Sequence, residues 1–364
     1  MTATPTRTTS ALILALLLGA TPLTQAAGAP AKAAKKVAAK ADYEGEYVNF
    51  AEWKEVAQFL DDMVRKHQFE RPALEALLAK VRYVETTIQL MKPAPPGKPK
   101  NWQAYRQRFV EPVRIDAGVQ FWNDNADALA RAESVYGVPA DIIVGIIGVE
   151  TVYGRNTGRF RVLDALTTLA FAYPDTPTRG ARMAFFRGEL ESALLFARQS
   201  NIDPLTLLGS YAGAVGLPQF MPSSILQHAV DFDGDGRVDL RGSAADAIGS
   251  VANFLVRHGW QRDLARPFAY PATVSPARAW EGYIGQGLEA KHTQDELAGA
   301  GVGSDAPLPG GIMFGLVDLQ NGAEATEYWL ATANFFAITQ YNRSYFYAMS
   351  VLDLGRAVRL ARGG

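Results

Sequence analysis

The stretch ADIIVGIIGVE runs from Ala140 to Glu150 and predicts a helix that is apolar almost all round. A helix of that kind is buried inside a protein. Pro139 suits the first helical position, and Asp141 places a negative charge in the first turn, where the helix dipole favours it. The chain is therefore expected to fold around this helix, with Glu150 at its carboxyl end.

Glu150 is the candidate catalytic residue. Helical spacing places it on one face with Ile143, Ile146 and Ile147. Poor solvation of a carboxyl group favours its neutral form, which is the form a general acid needs near neutral pH. The alternative is a charge that simply leaves the core at a helix end and pairs with Arg155.

Two features favour the acid site over that alternative. No other polar side chain interrupts the run from Ile142 to Val149. The residues that follow Glu150 include Tyr153, Gly154 and Arg155, which supply an aromatic ring, a tight turn and a cation. We expect these groups to furnish a sugar-binding site beside the carboxyl group.

Composition excludes several classes of protein. The 364 residues are 48% hydrophobic and 20% charged, which is typical of a globular chain long enough for two or three lobes. The absence of Cys excludes disulfides, thiolate metal sites and a Cys nucleophile, and four His argue against a His-based zinc site. The 36 basic and 37 acidic residues leave no basic surplus for nucleic acid, whereas 6 Trp and 14 Tyr suit carbohydrate stacking.

The amino terminus has the pattern of a secretory signal peptide, predicted over residues 1–26. Arg7 precedes the apolar run from Ala11 to Ala20, and Thr24-Gln25-Ala26 offers a small-residue cleavage site. The run is short for a membrane span, so an uncleaved anchor is the second choice. Since the chain has no Cys to lipidate, we expect a soluble periplasmic protein and not a lipoprotein.

The remaining chain divides by pattern into five segments. An Ala/Lys-rich linker covers residues 27–44, and a helical lobe covers 45–118 and contains the Pro-rich loop from Lys92 to Lys100. A helical core follows over 119–260, in which Glu189 and Glu191 read as solvated charges and Asp164 as a helix anchor. Residues 261–325 lack helical periodicity and predict a small inserted β-rich lobe. Residues 326–364 are predicted to complete the core as helices, with the helical pattern resuming at Tyr328.

The segment GSYAGAVGLPQFMPSS, from Gly209 to Ser224, is a candidate ligand-binding loop. Its small residues would let the backbone approach a ligand closely. Ser210 and Gln219 can bond sugar hydroxyls, and Phe220 offers an apolar wall. A tight helix–helix contact followed by a helix that begins at Pro222 explains the same composition.

The segment DFDGDGRVD, from Asp231 to Asp239, fits the first nine positions of an EF-hand loop. Asp231, Asp233 and Asp235 occupy positions 1, 3 and 5, Gly236 occupies position 6, and Arg237 supplies a backbone carbonyl at position 7. Position 12 is Gly instead of Glu. A turn without metal is the alternative, but carboxylates packed this closely repel one another, which favours a calcium site.

Several long segments resemble the membrane-bound lytic transglycosylase B family. They cover most of the chain from about Tyr47 onward, in the right order: VYGVPADIIVGIIGVETVYGR (Val135 to Arg155), GSYAGAVGLPQFMPSS, DFDGDGRVDL, DAIGSVANF (Asp246 to Phe254) and ITQYNRSYFYAMSV (Ile338 to Val351). The resemblance implies a mainly α (α+β) protein with a lysozyme-like helical core, an N-terminal helical lobe and a small inserted β-rich lobe.

The resemblance also implies individual site residues. Glu150 matches the catalytic acid of the family, and Asp246 matches a distant closing ligand for the cation, with one extra residue before it here. Phe254 stands where the family has Tyr. Positions that match substrate-binding positions of the family are Tyr105, Arg179, Arg182, Ser210, Gln219, Phe220, Tyr341, Asn342 and Tyr347. An inserted stretch makes the match of the two arginines the less direct one.

The implied reaction is cleavage of peptidoglycan glycan strands without water and without a catalytic cofactor. One acid suffices when the sugar supplies its own nucleophile, so that Glu150 protonates the bond between N-acetylmuramic acid and N-acetylglucosamine and a 1,6-anhydro ring closes. The alternatives are a hydrolytic muramidase with a second carboxylate and a non-catalytic, calcium-dependent wall-binding module. Other cell-wall enzymes are candidate protein partners of an expected monomer.

Overall fold

The computed structural model describes residues 49–93 and 99–364. The predicted signal peptide and linker lie outside these residues. The described chain forms fourteen α-helices, namely α1 Lys54–His67, α2 Arg71–Leu78, α3 Glu85–Met91, α4 Trp102–Arg106, α5 Pro112–Asp124, α6 Ala126–Tyr136, α7 Ala140–Thr151, α8 Val162–Ala172, α9 Arg179–Gln199, α10 Pro222–His228, α11 Ala244–Arg257, α12 Gln294–Gly299, α13 Ala333–Thr339 and α14 Tyr345–Arg362. It also forms six strands, β1 Phe160–Arg161, β2 Leu208–Gly209, β3 Ala269–Val274, β4 Val302–Gly303, β5 Gly315–Asn321 and β6 Glu324–Ala331.

The described residues divide into two compact units. The helical unit contains 49–93, 111–254 and 354–364, and the sheet unit contains 99–110 and 255–353. The predicted mainly helical fold with a small β-rich part is confirmed. The predicted helical return from residue 326 is wrong at its start, because Tyr328 lies in strand β6 and the helices resume only at Ala333.

The helical unit is built around α7, as its apolar sequence predicts. Every residue from Ala140 to Val149 is buried. Gly355 on α14 lies so close to α7 that a Cβ there would be 2.2 Å from the carbonyl oxygen of Asp141. The predicted anchor Asp164 is fully buried in the first turn of α8, where its carboxylate accepts hydrogen bonds from Arg161 Nε at 2.7 Å and from the Arg82 amide at 3.1 Å.

The sheet unit contains a four-stranded antiparallel sheet in the order β4-β3-β6-β5. Its core consists of Tyr270, Trp280, Leu297, Val302, Phe314, Leu316 and Leu330. The segment before α4 is held at the β5–β6 hairpin, because Gly322 N donates to Lys100 O at 2.8 Å and Gln103 N donates to Asn321 Oδ1 at 3.0 Å. Residues 99–110 therefore belong to the sheet unit, not to the amino-terminal helices.

Within the described ranges, none of the helices is by itself long and apolar enough to cross a membrane. The pair Ala126–Tyr136 and Ala140–Thr151 meets the length and composition test together, but the two helices meet at a bend of 117°. Since α7 is buried throughout the run from Ala140 to Val149, its apolar character is that of a core helix.

Candidate active site

Glu150 lies at the exposed edge of an otherwise buried helix. The residues before it on α7 are buried, and so is Thr151 after it, whereas Glu150 itself is half-buried. The carboxyl group thus has apolar surroundings on its own helix and still reaches the surface of the helical unit. That combination is what a general acid acting on an external substrate requires.

The backbone turns sharply directly after this position. Val152, Tyr153 and Gly154 have φ values of 51°, 57° and 87°, all in the left-handed region. A β-branched residue such as Val152 rarely adopts it, and strained backbone of this kind clusters at functional sites. The turn is held by Val152 N, which donates to Gly148 O at 3.1 Å.

Thr151 fixes the end of α7 to a second segment. Its buried hydroxyl donates to Leu217 O at 2.9 Å and accepts from Gly154 N at 3.0 Å. Leu217 also packs against Gly154, where a Cβ would lie 3.3 Å from the Leu217 side chain. One hydroxyl therefore joins the helix that carries Glu150, the left-handed turn and the segment around Leu217.

Tyr153 is directed into the helical unit and not toward a ligand, contrary to the expectation that its ring furnishes a sugar site. The ring stacks on Phe121 with centroids 5.2 Å apart. A Cβ at Gly118 or Gly148 would lie 2.4 Å from its hydroxyl oxygen, which explains both glycines. Burial raises the pKa of the Tyr153 hydroxyl well above its usual range, and the nearby Arg114 acts in the opposite direction.

Residues 208–220, named here the glycine loop, form a tightly folded segment. β2 pairs with β1 through Phe160 and Gly209. A Cβ at Gly209 would lie 2.2 Å from Ala214 O, and one at Gly216 would lie 2.3 Å from Leu240 O. These glycines serve the close packing of the loop on its own unit. The segment is not a helix–helix contact, although α10 does begin at Pro222 as predicted.

The three predicted contact residues of the glycine loop are placed differently. Ser210 is buried, and its hydroxyl accepts from Ala214 N at 3.1 Å. Phe220 is 2% exposed and packs on Phe254 at 5.5 Å. Gln219 alone is half-buried among the buried residues from Ala212 to Phe220, and its Nε2 donates to Gly216 O at 2.9 Å. The carbonyl of its amide is therefore the part suited to accept from a ligand.

Arg179 and Arg182 lie in the first turn of α9. Arg179 is exposed and donates from Nε to Tyr173 O at 2.8 Å. Arg182 is 8% exposed, lies over the ring of Phe186 at 5.3 Å and donates from Nε to Tyr173 Oη at 3.2 Å. Arg179 thus offers a cation at the surface, whereas Arg182 packs among aromatic rings.

The remaining predicted substrate residues belong to the sheet unit. Tyr341 and Tyr347 are buried and stacked, with ring centroids 6.2 Å apart and 12° between their planes. Asn342, next to this pair, is half-buried. Tyr105 packs in an aromatic cluster with Phe109 at 5.0 Å and Phe346 at 5.4 Å. Their substrate contacts stay predictions.

Residues 231–242, named here the acid loop, bring carboxylates together. Ligand atoms of Asp231, Asp233 and Asp246 lie within 4.8 Å of one another. Asp246 is fully buried and accepts from the amides of Phe232 at 2.7 Å and Asp239 at 2.7 Å, so that it holds both sides of the loop. The carboxylate of Asp235 is not in this group and pairs with Arg237 at 3.3 Å.

Position 12 of the acid loop is crowded by the carboxylate of Asp239. A Cβ at Gly242 would lie 2.5 Å from the Asp239 carboxylate, which accepts from Gly242 N at 2.8 Å. The hydroxyl of Ser243 donates to Asp233 at 2.6 Å, and this bond is the largest of the causes that lower the pKa of Asp233. Oxygen donors from carboxylates in this arrangement suit a calcium ion.

Glu189 is a buried carboxylate and not the solvated charge that the sequence predicts. It is 4% exposed and accepts from Ser223 N at 2.9 Å and Ser223 Oγ at 2.7 Å, at the start of α10. Burial raises its pKa, and the two bonds from Ser223 oppose that shift. The sequence held a signal for this, because Glu189 follows Phe186 by three residues and precedes Ala193 by four. Glu191 is partly exposed and pairs with His67 at 2.7 Å.

The sequence matches the family described as Transglycosylase SLT domain over residues 50–356. It is 43% identical over 322 residues to the membrane-bound lytic murein transglycosylase B of Escherichia coli strain K12, a match that covers 86% of this chain and 85% of that protein. These matches confirm the resemblance found in the sequence.

Solved structures give the same result for the fold. The lytic transglycosylase Slt35 of Escherichia coli in complex with calcium is 43% identical, with a TM-score of 0.76, and the match covers 88% of this chain and 97% of that one. SltB3 of Pseudomonas aeruginosa in complex with NAG-NAM-pentapeptide is 27% identical, with a TM-score of 0.69, and the match covers 85% of this chain and 80% of that one. The expected lysozyme-like architecture is confirmed.

Proposed function

The chain belongs to the Transglycosylase SLT domain family and is a peptidoglycan lytic transglycosylase, and we propose that Glu150 is its single general acid and base. The observation that carries the proposal is the half-buried carboxyl group at the end of a buried helix, followed by a left-handed turn. Such a position gives the carboxyl group apolar neighbours on its own helix and leaves it accessible to a glycan strand.

The proposed reaction uses Glu150 twice. Its proton passes to the oxygen that bridges N-acetylmuramic acid and N-acetylglucosamine, and the bond from that oxygen to the muramyl C1 breaks. The carboxylate then takes the proton of the muramyl C6 hydroxyl as the C6 oxygen bonds to C1. A 1,6-anhydro ring results, no water enters, and Glu150 is again protonated.

The placement of the other buried carboxylates supports a single acid. Hydrolysis by the usual route needs a second carboxylate that is available to water or to the sugar. Among the described residues, the other buried carboxylates each have a structural partner: Asp141 with Arg359, Asp164 with Arg161, Glu189 with Ser223 and Asp246 with amides of the acid loop. None of these buried carboxylates is therefore free to act as the second carboxylate of the muramidase alternative.

We take peptide-bearing glycan strands as the substrate, since the related SltB3 was solved with NAG-NAM-pentapeptide. Gln219 and Arg179 are the proposed polar contacts of the helical unit. Gln219 is half-buried and carries an amide suited to a sugar, and Arg179 is exposed and carries a cation suited to a carboxylate. Ser210 and Phe220 shape the glycine loop. Tyr105, Arg182, Tyr341, Asn342 and Tyr347 remain proposed substrate residues on the family match alone.

We propose that the acid loop holds a structural calcium ion and takes no part in the chemistry. Asp231, Asp233 and Asp246 would bind it directly, with Asp235 and the Arg237 carbonyl as further proposed ligands. The donor set fits a hard cation, and the related Slt35 was solved in complex with calcium. The ion would add stability by binding only the folded loop.

We also propose export to the periplasm through a signal peptide at residues 1–26, with a mature chain free of lipid. The relative from Escherichia coli is named membrane-bound, whereas this chain has no Cys for a lipid anchor. Cell-wall enzymes as partners and a monomeric state remain predictions, and so does the six-segment division of the chain outside the two corrections made above, residues 99–110 and the start of the last segment.

Glu150→Gln tests the proposed reaction. The amide keeps the shape of the side chain but cannot supply the proton, so that release of muropeptides from purified sacculi should fall by about 100- to 10,000-fold. Mass spectrometry of the wild-type products should find 1,6-anhydromuramyl ends, which are lighter than hydrolysed ends by one water. Glu189→Gln is the matched control, and it should retain activity. Reducing ends that carry oxygen-18 from labelled water would establish hydrolysis instead.

A further inference from the structure

The sheet unit contains a groove that the proposed reaction does not use. Its volume is about 470 Å³, which lies in the range of small-ligand sites. One wall is a face of the β5–β6 hairpin, where Asp318 is paired with Tyr328 and alternation along the strands places Gln320 and Thr326 on the same face. The side chains that matter most to its chemistry are Lys100, Trp280, Glu281, Asp318, Gln320 and Tyr328.

The groove carries charges of both signs. Asp318 is half-buried and accepts from Gln320 Nε2 at 2.8 Å, and Glu281 is exposed and pairs with Arg278. Burial raises the pKa of the Tyr328 hydroxyl, with further contributions from Asp318 and then Glu281. Asp318 and Glu281 both line the groove together with Tyr328, and the cation paired with Glu281 is Arg278. Lys100 adds a cation whose backbone is fixed to the hairpin at Gly322.

The aromatic residues of the groove form a wall rather than an open stacking surface. Trp280 is 9% exposed, and its Nε1 donates to Ser275 O at 2.8 Å. Its ring meets the ring of Tyr328 edge-on, with centroids 4.9 Å apart and 66° between the planes. A sugar that stacks on a ring needs an exposed face, which Trp280 does not offer, and the ring of Tyr328 is itself half-buried, so the charged groups are the more accessible feature for recognition.

We infer that this groove binds the peptide stem of the substrate, at a residue that carries both a free ammonium and a carboxylate. Asp318 and Glu281 would receive the ammonium group, and Lys100 would pair with the carboxylate. Tyr328 and Gln320 add hydrogen-bonding groups between them. This inference rests on the proposed function, because it takes peptide-bearing glycan as the substrate, and it gives the sheet unit a role in selecting strands that retain their peptides.

Titration calorimetry on the full chain tests the groove, with Glu150→Gln as background to prevent turnover. The probes are a pentapeptide that contains a residue with a free side-chain ammonium and a free carboxylate, the same peptide with that amine acetylated, and an N-acetylglucosamine tetramer. We expect acetylation to weaken binding at least tenfold, and the combined change Asp318→Asn and Glu281→Gln to do the same. Glu324→Gln removes a charge from the same hairpin outside the groove and should leave peptide affinity unchanged.

Three outcomes would overturn the inference. The first is no measurable binding of the free peptide. The second is equal peptide affinity in the double variant and in Glu324→Gln, with thermal melting confirming that both are folded. The third is binding of the sugar tetramer that the double variant weakens, which would make the groove a saccharide site. The acetylated peptide tests the ammonium without changing the protein. Since the anhydro-product assay on Glu150 reads cleavage and calorimetry reads binding, failure of one leaves the other intact.

Discussion

The glycine loop and the acid loop belong to the same helical unit, and both turn at glycines with positive φ, but they are stabilised differently. Gly216 in the glycine loop has φ 77° and lies against Leu240 near the end of the acid loop, whereas Gly234 in the acid loop has φ 80° and would meet no heavy atom within 4 Å of an added Cβ. The first loop is held by close packing. The second is held by carboxylates that accept hydrogen bonds from backbone amides, and it has open space at Gly234 and Gly236.

This difference assigns separate tasks to the two loops. The glycine loop contacts the end of α7 through Thr151 and Leu217, so its rigidity bears on the position of Glu150. The acid loop closes on Asp246 through amides of its own chain, so a cation would bear on its stability. Substitutions matched between the two loops can separate these tasks.

Alanine substitutions at Gly216 and Gly234 should give the largest contrast. Both place an L-alanine in the left-handed backbone region, which costs about 1–2 kcal/mol. At Gly216 the new Cβ would also lie 2.3 Å from Leu240 O, and overpacking adds about 1–3 kcal/mol. Urea denaturation should therefore find a loss of about 2–5 kcal/mol for Gly216→Ala and a clearly smaller loss for Gly234→Ala. Equal losses would mean that packing does not distinguish the loops.

Calcium should stabilise the acid loop by a free energy similar to the difference expected between Gly216→Ala and Gly234→Ala. A hundredfold excess of ion over its dissociation constant contributes about 2.7 kcal/mol to a site present only in the folded state. Chelator should lower the melting midpoint of the wild type and leave that of Asp231→Asn unchanged. Asp116→Asn, an exposed change on α5, should keep the wild-type response. A wild-type midpoint that ignores calcium would make the acid loop an Asp/Gly turn.

Thr151→Val should uncouple the glycine loop from α7. The change keeps the shape of the side chain but leaves Leu217 O and Gly154 N without the hydroxyl that now bonds them, at a cost of about 1–3 kcal/mol. Because the neighbouring Glu150 must meet its substrate in a defined geometry, kcat should fall about tenfold. Thr151→Ser retains the hydroxyl and should recover most of kcat. A loss of stability with unchanged kcat would restrict Thr151 to a structural role.

The sequence predicted those parts of the protein whose pattern is local. The apolar run before Glu150 predicted a buried helix, and the spacing of Asp231, Asp233 and Asp235 predicted an acid-rich turn. What it missed depends on neighbours distant in the chain. From the sequence, Tyr153 is expected to be a site residue. In the structure its hydroxyl occupies space left by Gly118 and Gly148, which only the folded chain brings together.

Two further features illustrate the same limit. Strand β6 begins at Glu324, in a segment whose polar residues alternate weakly, and only its pairing with β3 and β5 makes it a strand. The groove of the sheet unit joins Lys100 to residues more than 150 positions later. No spacing within one segment could have indicated that charge arrangement.

Substitution of Glu189 should give the smallest effect, and it distinguishes this buried carboxylate from the half-buried Glu150. Burial raises the pKa of Glu189 above its ordinary value of 4.5, so the folded state holds the proton more tightly than the unfolded chain does. Its contribution to stability is therefore fully present below about pH 4.5 and is lost as the pH rises through the folded pKa. Relative to Glu189→Gln, which does not titrate, the wild type should become less stable as the pH rises from 4 toward 7. The bonds from Ser223 oppose the shift and limit the change, since each tenfold difference in proton affinity corresponds to about 1.4 kcal/mol. Urea denaturation of both proteins across this range measures it. If the wild type instead becomes more stable relative to Glu189→Gln as the pH rises, the Ser223 bonds outweigh burial and the folded pKa of Glu189 is lowered.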